Sequence, residues 1–154
     1  MAAIAGGTHH GFIDSLDPRT SQVLWKITLY SVGIATLLML SAALFAYLNP
    51  PWQTALIFLA VLQFCIYTFL VSRNNDFKFV IYDYVPAMLL IVVLAWMMKA
   101  RSASWILAAV ALSFAGAAIQ RSGVQLHKHF NNNDIYHVIQ MVGMYFFYKA
   151  GLRL

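Results

Sequence analysis

Residues Ile27 to Leu48 form the stretch ITLYSVGIATLLMLSAALFAYL, which contains no charged side chain. A helix needs about 20 apolar residues to cross a hydrocarbon core of about 30 Å, so this stretch predicts one membrane span. Three further runs reach a similar length: Trp52–Ser72 and Ser102–Gln120 carry no charge, and Phe79–Met98 carries only Asp83. Four transmembrane helices are therefore predicted.

A fifth apolar run, Ile135–Tyr148, is shorter and covers only about 21 Å as a helix. Four aromatic residues close it, followed by Lys149 and Arg153, which is typical of a membrane interface. We therefore expect a fifth span that begins a little earlier. The predicted fold class is all-α: a polytopic membrane helical bundle of about five transmembrane helices in a single domain, 1–154, with spans at about 27–48, 52–72, 79–98, 102–120 and 133–148.

The composition supports a membrane protein, since 62% of the residues are hydrophobic and only 10% are charged. A soluble domain has about 45–50% apolar and about 25% charged residues. The net charge of +5 would suggest nucleic acid in a soluble protein, but here Lys and Arg flank the spans, where they meet anionic lipid headgroups. We expect membrane lipids as partners, no nucleic acid, and a location in a bacterial inner membrane.

The fourth span carries many small side chains between Ala108 and Ala118. Small residues let neighbouring helices approach closely. This face predicts packing against another helix, and it is the surface on which we expect a protein partner.

Ionisable side chains at membrane depth are costly and indicate functional sites. Asp83 lies four residues into the third span; the alternative is that it caps or anchors the helix at headgroup depth. Asp134 and His137 are i, i+3 neighbours, so the carboxylate can orient the imidazole or share a metal with it. The alternative is that Asp134 caps the last helix and His137 bonds a neighbouring helix.

Histidines occur in two further places. His9 and His10 are adjacent, so at most one of them should face a bundle interior. His127 and His129 fall in a polar connection, where we expect them to be solvated. His10 or His9, His137, and Asp83 or Asp134 thus offer metal ligands from three segments. Zinc with such ligands and an open water position is the arrangement used for hydrolysis.

Three short patches carry a family resemblance: GGTHHGF at 6–12, DYVPAM at 83–88 and NDIYH at 133–137. Together they resemble the superfamily of alkaline ceramidases, progestin and adipoQ receptors, and hemolysin III proteins. That resemblance implies a seven-helix bundle holding zinc that hydrolyses lipid amides. It implies His10 and His137 as metal ligands, Asp83 as the helix-embedded aspartate, and Thr8 near the family's serine.

The sequence also departs from that family. The partner expected one turn before His137 is Asn133, so Asp134 is the available replacement ligand, and Asp14 or Asp17 could be the aspartate instead of Asp83. Five spans instead of seven would make this a shortened member. We therefore carry two hypotheses: a metal-dependent intramembrane hydrolase of lipid amides or esters, with Asp83 or Asp134 as catalytic base, and a non-catalytic accessory or scaffold subunit of a membrane complex.

Overall fold

A computed structural model describes residues 1–124, 126–127 and 130–154, with the side chain of Asn133 excluded. The described residues form six α-helices and no strand, so the all-α prediction is confirmed. Their bounds are α1 Ala2–Phe12, α2 Pro18–Tyr47, α3 Pro50–Arg73, α4 Lys78–Met97, α5 Ala103–Ser122 and α6 Asn132–Gly151. His129, predicted to be solvated, lies outside the described residues.

In the described part of the chain, four helices are long and apolar enough to cross a membrane: α2, α3, α4 and α5. They carry many exposed large apolar side chains, among them Trp52, Phe58 and Trp96 at 67–68% exposure. Such exposure suits lipid and not water. The protein is an integral membrane protein. The helix α6 spans 20 residues, enough to cross at 1.5 Å per residue, and the fifth span stays a prediction.

Polar residues define where the helices begin and end. The Asp17 carboxylate accepts hydrogen bonds from the backbone N–H groups of Arg19 and Thr20 at 3.0 and 3.1 Å, and Pro18 occupies the first helical position of α2. At the other end of α2, the Gln53 amide of α3 donates to the carbonyl oxygens of Phe45 and Leu48 at 3.0 and 2.5 Å. These bonds fix the tight α2–α3 connection.

The chain packs as two compact units, Met1–Leu89 and Leu90–Leu154, and the boundary falls within α4. In the first unit, α2 packs against both α1 and α3. Its core contains Leu29, Tyr67, Val71 and Val80.

In the second unit, α5 packs against α6 through small residues. A Cβ added at Gly116 would lie 3.3 Å from both Tyr136 and Ile139, and one added at Gly143 would lie 3.5 Å from the Ala109 carbonyl oxygen. The backbones therefore approach closely, as the small-residue pattern predicts. Part of the face expected to meet a partner is thus covered by the protein's own α6.

Candidate functional site

The carboxyl group of Asp83 is the most deeply buried ionisable group of the predicted site. Asp83 lies in α4 with 5% of its surface exposed, so it does not lie at a solvated helix end. The Gln63 side-chain amide of α3 donates to Asp83 Oδ1 at 3.0 Å and to the Asp83 backbone carbonyl at 3.2 Å. One carboxyl oxygen is thereby fixed, while Oδ2 has no hydrogen-bond partner among the described residues.

Two hydroxyl groups lie near this carboxyl group, and both already have acceptors. The Thr36 hydroxyl of α2 interacts with the Asp83 side chain, but its proton is donated to the Val32 carbonyl oxygen at 3.0 Å. The Tyr67 hydroxyl donates to the Leu29 carbonyl oxygen at 2.7 Å. A hydroxyl carries one proton, so neither donates to Oδ2 while it makes the bond to its carbonyl oxygen.

A groove of about 120 Å³ lies beside Asp83 within the first unit. Gln63 and Tyr67 line it from α3, and Phe79, Tyr82 and Asp83 line it from α4. Ile66 and Leu70 complete the lining, which is mostly apolar. We call this cavity the Asp83 groove. It combines a few polar groups with a mostly apolar lining, as ligand sites do.

The two N-terminal histidines lie against Trp25. The ring centroids of His9 and His10 lie 5.2 and 5.6 Å from that of Trp25. His9 is half-buried and its Nδ1 has no partner among the described residues, whereas His10 is exposed. Trp25 also stacks near Phe77 and donates from Nε1 to the Asn75 carbonyl oxygen at 2.8 Å. Of the two positions left open by the sequence, His9 is the more enclosed.

Asp134 caps the start of α6. Its Oδ2 accepts a hydrogen bond from the Asn131 backbone N–H at 2.9 Å, and its own N–H points at Asn131 Oδ1 at 3.4 Å. This reciprocal pair is a capping box, with Asn131 at the N-cap and Asp134 at the third helical position. Asp134 was expected to cap the helix, and it does so as the partner of the N-cap residue Asn131. One oxygen of the carboxylate considered as the alternative general base is therefore hydrogen-bonded to Asn131.

His137 lies one turn after Asp134, half-buried in α6. Its Nε2 is buried without a partner in the described part of the chain, and its ring lies 5.1 Å from that of Tyr136. One turn further, Gln140 and Ser113 link α6 to α5 by two hydrogen bonds of 3.4 Å. The neighbouring-helix bond expected of His137 is therefore made by Gln140 instead.

The expected zinc site has no support among the described residues and stays a prediction. The three buried side-chain atoms without partners, among the described residues, are His9 Nδ1, Asp83 Oδ2 and His137 Nε2, all of which are atom types that bind zinc. However, no group of three or more His, Cys, Asp or Glu side chains is positioned to hold a metal ion over residues 1–124, 126–127 and 130–154. Asn133, the other expected position, has its side chain outside the described residues.

Comparison with known families places the chain in one of them, because a family description matches residues 1–154 throughout. The chain belongs to DUF6962. This is a family of unknown function. No curated protein and no solved structure matches the chain significantly. The resemblance to the ceramidase and hemolysin III superfamily therefore stays a prediction for this DUF6962 member.

Sequence reasoning found Asp83 in this DUF6962 chain but missed its partners. Gln63 and Tyr67 come from α3 and Thr36 comes from α2, and none of the three carries a charge that marks it in the sequence. The available signal was Gln63, an amide in the middle of an uncharged span, where it needs a polar partner on a neighbouring helix.

Proposed function

We propose that this protein binds the polar part of a membrane lipid in the Asp83 groove. The observation that supports the proposal is Asp83 Oδ2, a buried carboxyl oxygen in a membrane-spanning helix that lacks a hydrogen-bond donor among the described residues. Leaving such an atom unsatisfied costs about 1–3 kcal/mol, and more for a charged group. A ligand that supplies a donor recovers that free energy.

Lipid amides and esters are the ligands that the family resemblance implies, and their hydrolysis is the catalytic form of this proposal. Asp83 is the preferred general base, since the Asp134 carboxylate is engaged at the start of α6. A metal-dependent form would need a ligand set, and no group of three metal-binding side chains is present among the described residues.

The binding proposal is tested by replacing Asp83 with Asn. Asp83→Asn keeps the shape but presents an amide in place of a carboxyl group, so retention of a fluorescent fatty-acyl amide, whose N–H is the donor, should fall about tenfold or more. The matched fatty-acyl ester has no donor, so its retention should change less. Binding is measured on protein reconstituted in phosphatidylcholine vesicles, and product release is followed in the same samples. Asp76→Asn is the matched control, because Asp76 is exposed between α3 and α4. If both variants retain the lipid equally, Asp83 does not contribute to lipid binding.

Measuring the zinc content of the same preparations distinguishes a metal-dependent hydrolase from a protein that only binds lipid. Stoichiometric zinc that disappears in His137→Ala, and in His9→Ala or His10→Ala, would support the metal-dependent hydrolase. Protein without zinc that still retains lipid through Asp83 would support binding alone.

The accessory-subunit hypothesis rests on a different surface. After α6 covers Ala109, Ser113 and Gly116, the small residues Ala111, Ala115 and Ala118 remain exposed at i, i+4 and i+7 on α5. We call these three residues the free alanine face. A second helix can approach such a face closely. This face is the surface we propose for a membrane partner.

A further inference from the structure

We infer that the group bound at Asp83 is an ammonium group, carried by an amphiphilic primary amine in the bilayer. This inference rests on the proposed function, because it names the ligand class of the same groove. It is supported by the acceptors, the aromatic rings, the charge and the size of the groove.

The carboxyl group of Asp83 lacks one donor. Its Oδ2 has no partner in the described part of the chain. Pro86 lies inside α4 and has no N–H, so the turn that holds Asp83 also lacks the helical hydrogen bond to the carbonyl oxygen of Tyr82. A primary ammonium has three N–H donors and no acceptor, and so it complements the unpartnered carboxyl oxygen.

Aromatic side chains stand beside the carboxyl group. Tyr82 lines the groove from α4 and Tyr67 lines it from α3, whereas the Lys78 ammonium already lies 5.3 Å from the centroid of the Phe79 ring. The face of an aromatic ring attracts a cation, and the attraction grows when the cation leaves water. A neutral lipid alcohol would satisfy Asp83 Oδ2 but would gain nothing from the rings.

No described residue that lines the groove is basic. Lys78, which precedes Phe79, forms an ion pair with Asp76 at 2.9 Å. The Asp83 carboxylate is thus left without a protein cation in the groove, and an isolated charge at membrane depth is costly. A ligand cation would neutralise it.

The size of the groove favours an organic ammonium group over a bare divalent ion. Its volume of about 120 Å³ is several times the roughly 10–15 Å³ that one enclosed water molecule needs, which leaves room for an ammonium group with its first methylenes. Calcium needs about six to eight oxygen ligands, whereas this groove offers one carboxylate. Ile66 and Leu70 provide an apolar path for the alkyl chain.

The test uses radiolabelled dodecylamine and the reconstituted full chain in phosphatidylcholine vesicles at pH 7, where the amine is protonated. Protein-free vesicles give the partition background. We expect saturable binding, about tenfold weaker in Asp83→Asn and unchanged in Asp76→Asn. Unlabelled dodecylamine should compete, and dodecanol should compete at least tenfold more weakly.

A second variant keeps the test informative if Asp83→Asn does not fold. Tyr82 is 67% exposed, so Tyr82→Leu should leave the fold intact and weaken dodecylamine binding severalfold through loss of the ring face. Equal competition by dodecanol, or undiminished binding in both variants, would overturn the ammonium inference. If the fatty-acyl amide or ester binds through Asp83 while dodecylamine does not, the inference fails and the proposed function stands. If neither binds, both fail.

Discussion

Gly33 of α2 and Tyr67 of α3 form a close contact that only glycine permits. The Tyr67 ring lies across the Gly33 Cα, is 3% exposed, and is anchored by its hydrogen bond to the Leu29 carbonyl oxygen. Because Tyr67 also lines the Asp83 groove, the absence of a side chain at Gly33 helps to shape the proposed site.

Replacing Gly33 with Ala should therefore damage both stability and binding. The new Cβ would overlap the ring, with Tyr67 Cδ1 at 2.7 Å, and an anchored ring cannot move cheaply. We expect a loss of about 1–3 kcal/mol in the free energy of unfolding and weaker lipid retention. Thermal unfolding followed by circular dichroism measures the first. Gly7→Ala is the control, since nothing lies within 4 Å of its Cβ position; equal melting temperatures for the two variants would contradict the packing argument.

That Asp83 is a carboxyl group within a membrane-spanning helix was predictable from the sequence, whereas its environment was not. A carboxylate in an apolar run is conspicuous because of its insertion cost. Its contact with Gln63 depends on how α3 and α4 are rotated and shifted against each other, which hydropathy does not encode. Asp134 shows the same limit, because the i, i+3 spacing to His137 is equally compatible with a ligand pair and with the capping box that forms.

At the scale of the helices, hydropathy located the spans but not their ends. The first span was predicted to begin at Ile27, yet α2 begins at Pro18, because Asp17 and Pro18 provide an N-cap and a first turn nine residues earlier. The last helix begins at Asn132, one residue before the predicted start, because Asn131 and Asp134 cap it. Capping side chains, and not apolarity, set these boundaries.

The cap of α2 gives stability a pH dependence. Hydrogen bonds from the Thr20 side chain and backbone hold the pKa of Asp17 below its ordinary value of 3.8. Because the pKa of Asp17 is lower in the folded state, its ionised carboxylate stabilises the fold at pH values above 3.8. This stabilisation is lost as the pH falls through the pKa that Asp17 has in the folded state. Asn keeps the cap without the charge, so the native chain should melt above Asp17→Asn at pH 6, and the difference should shrink as the pH falls below 3.8. A constant difference between pH 6 and pH 3 would contradict this account.

At the scale of the whole molecule, the described helices expose far more apolar surface than they bury, as the bilayer requires. The share of buried residues in the four membrane-spanning segments is only 17–33%. Exposure of large side chains therefore does not identify a partner surface in this protein. A face of small side chains is more informative, because lipid gains little from it whereas a neighbouring helix backbone can approach it closely.

The free alanine face allows the accessory-subunit hypothesis to be tested by one pair of substitutions. Ala115→Leu places a bulky side chain on an exposed position of α5 and should block close approach of a partner helix, so that cross-linked assemblies recovered from native membranes decrease while the melting temperature is kept. Ala109→Leu places the same side chain at a fully buried position facing Gly143, and should destabilise the α5–α6 packing by about 1–3 kcal/mol. If Ala115→Leu assembles like the native chain, the accessory-subunit hypothesis loses the free alanine face, and the Asp83 groove remains as the proposed binding surface.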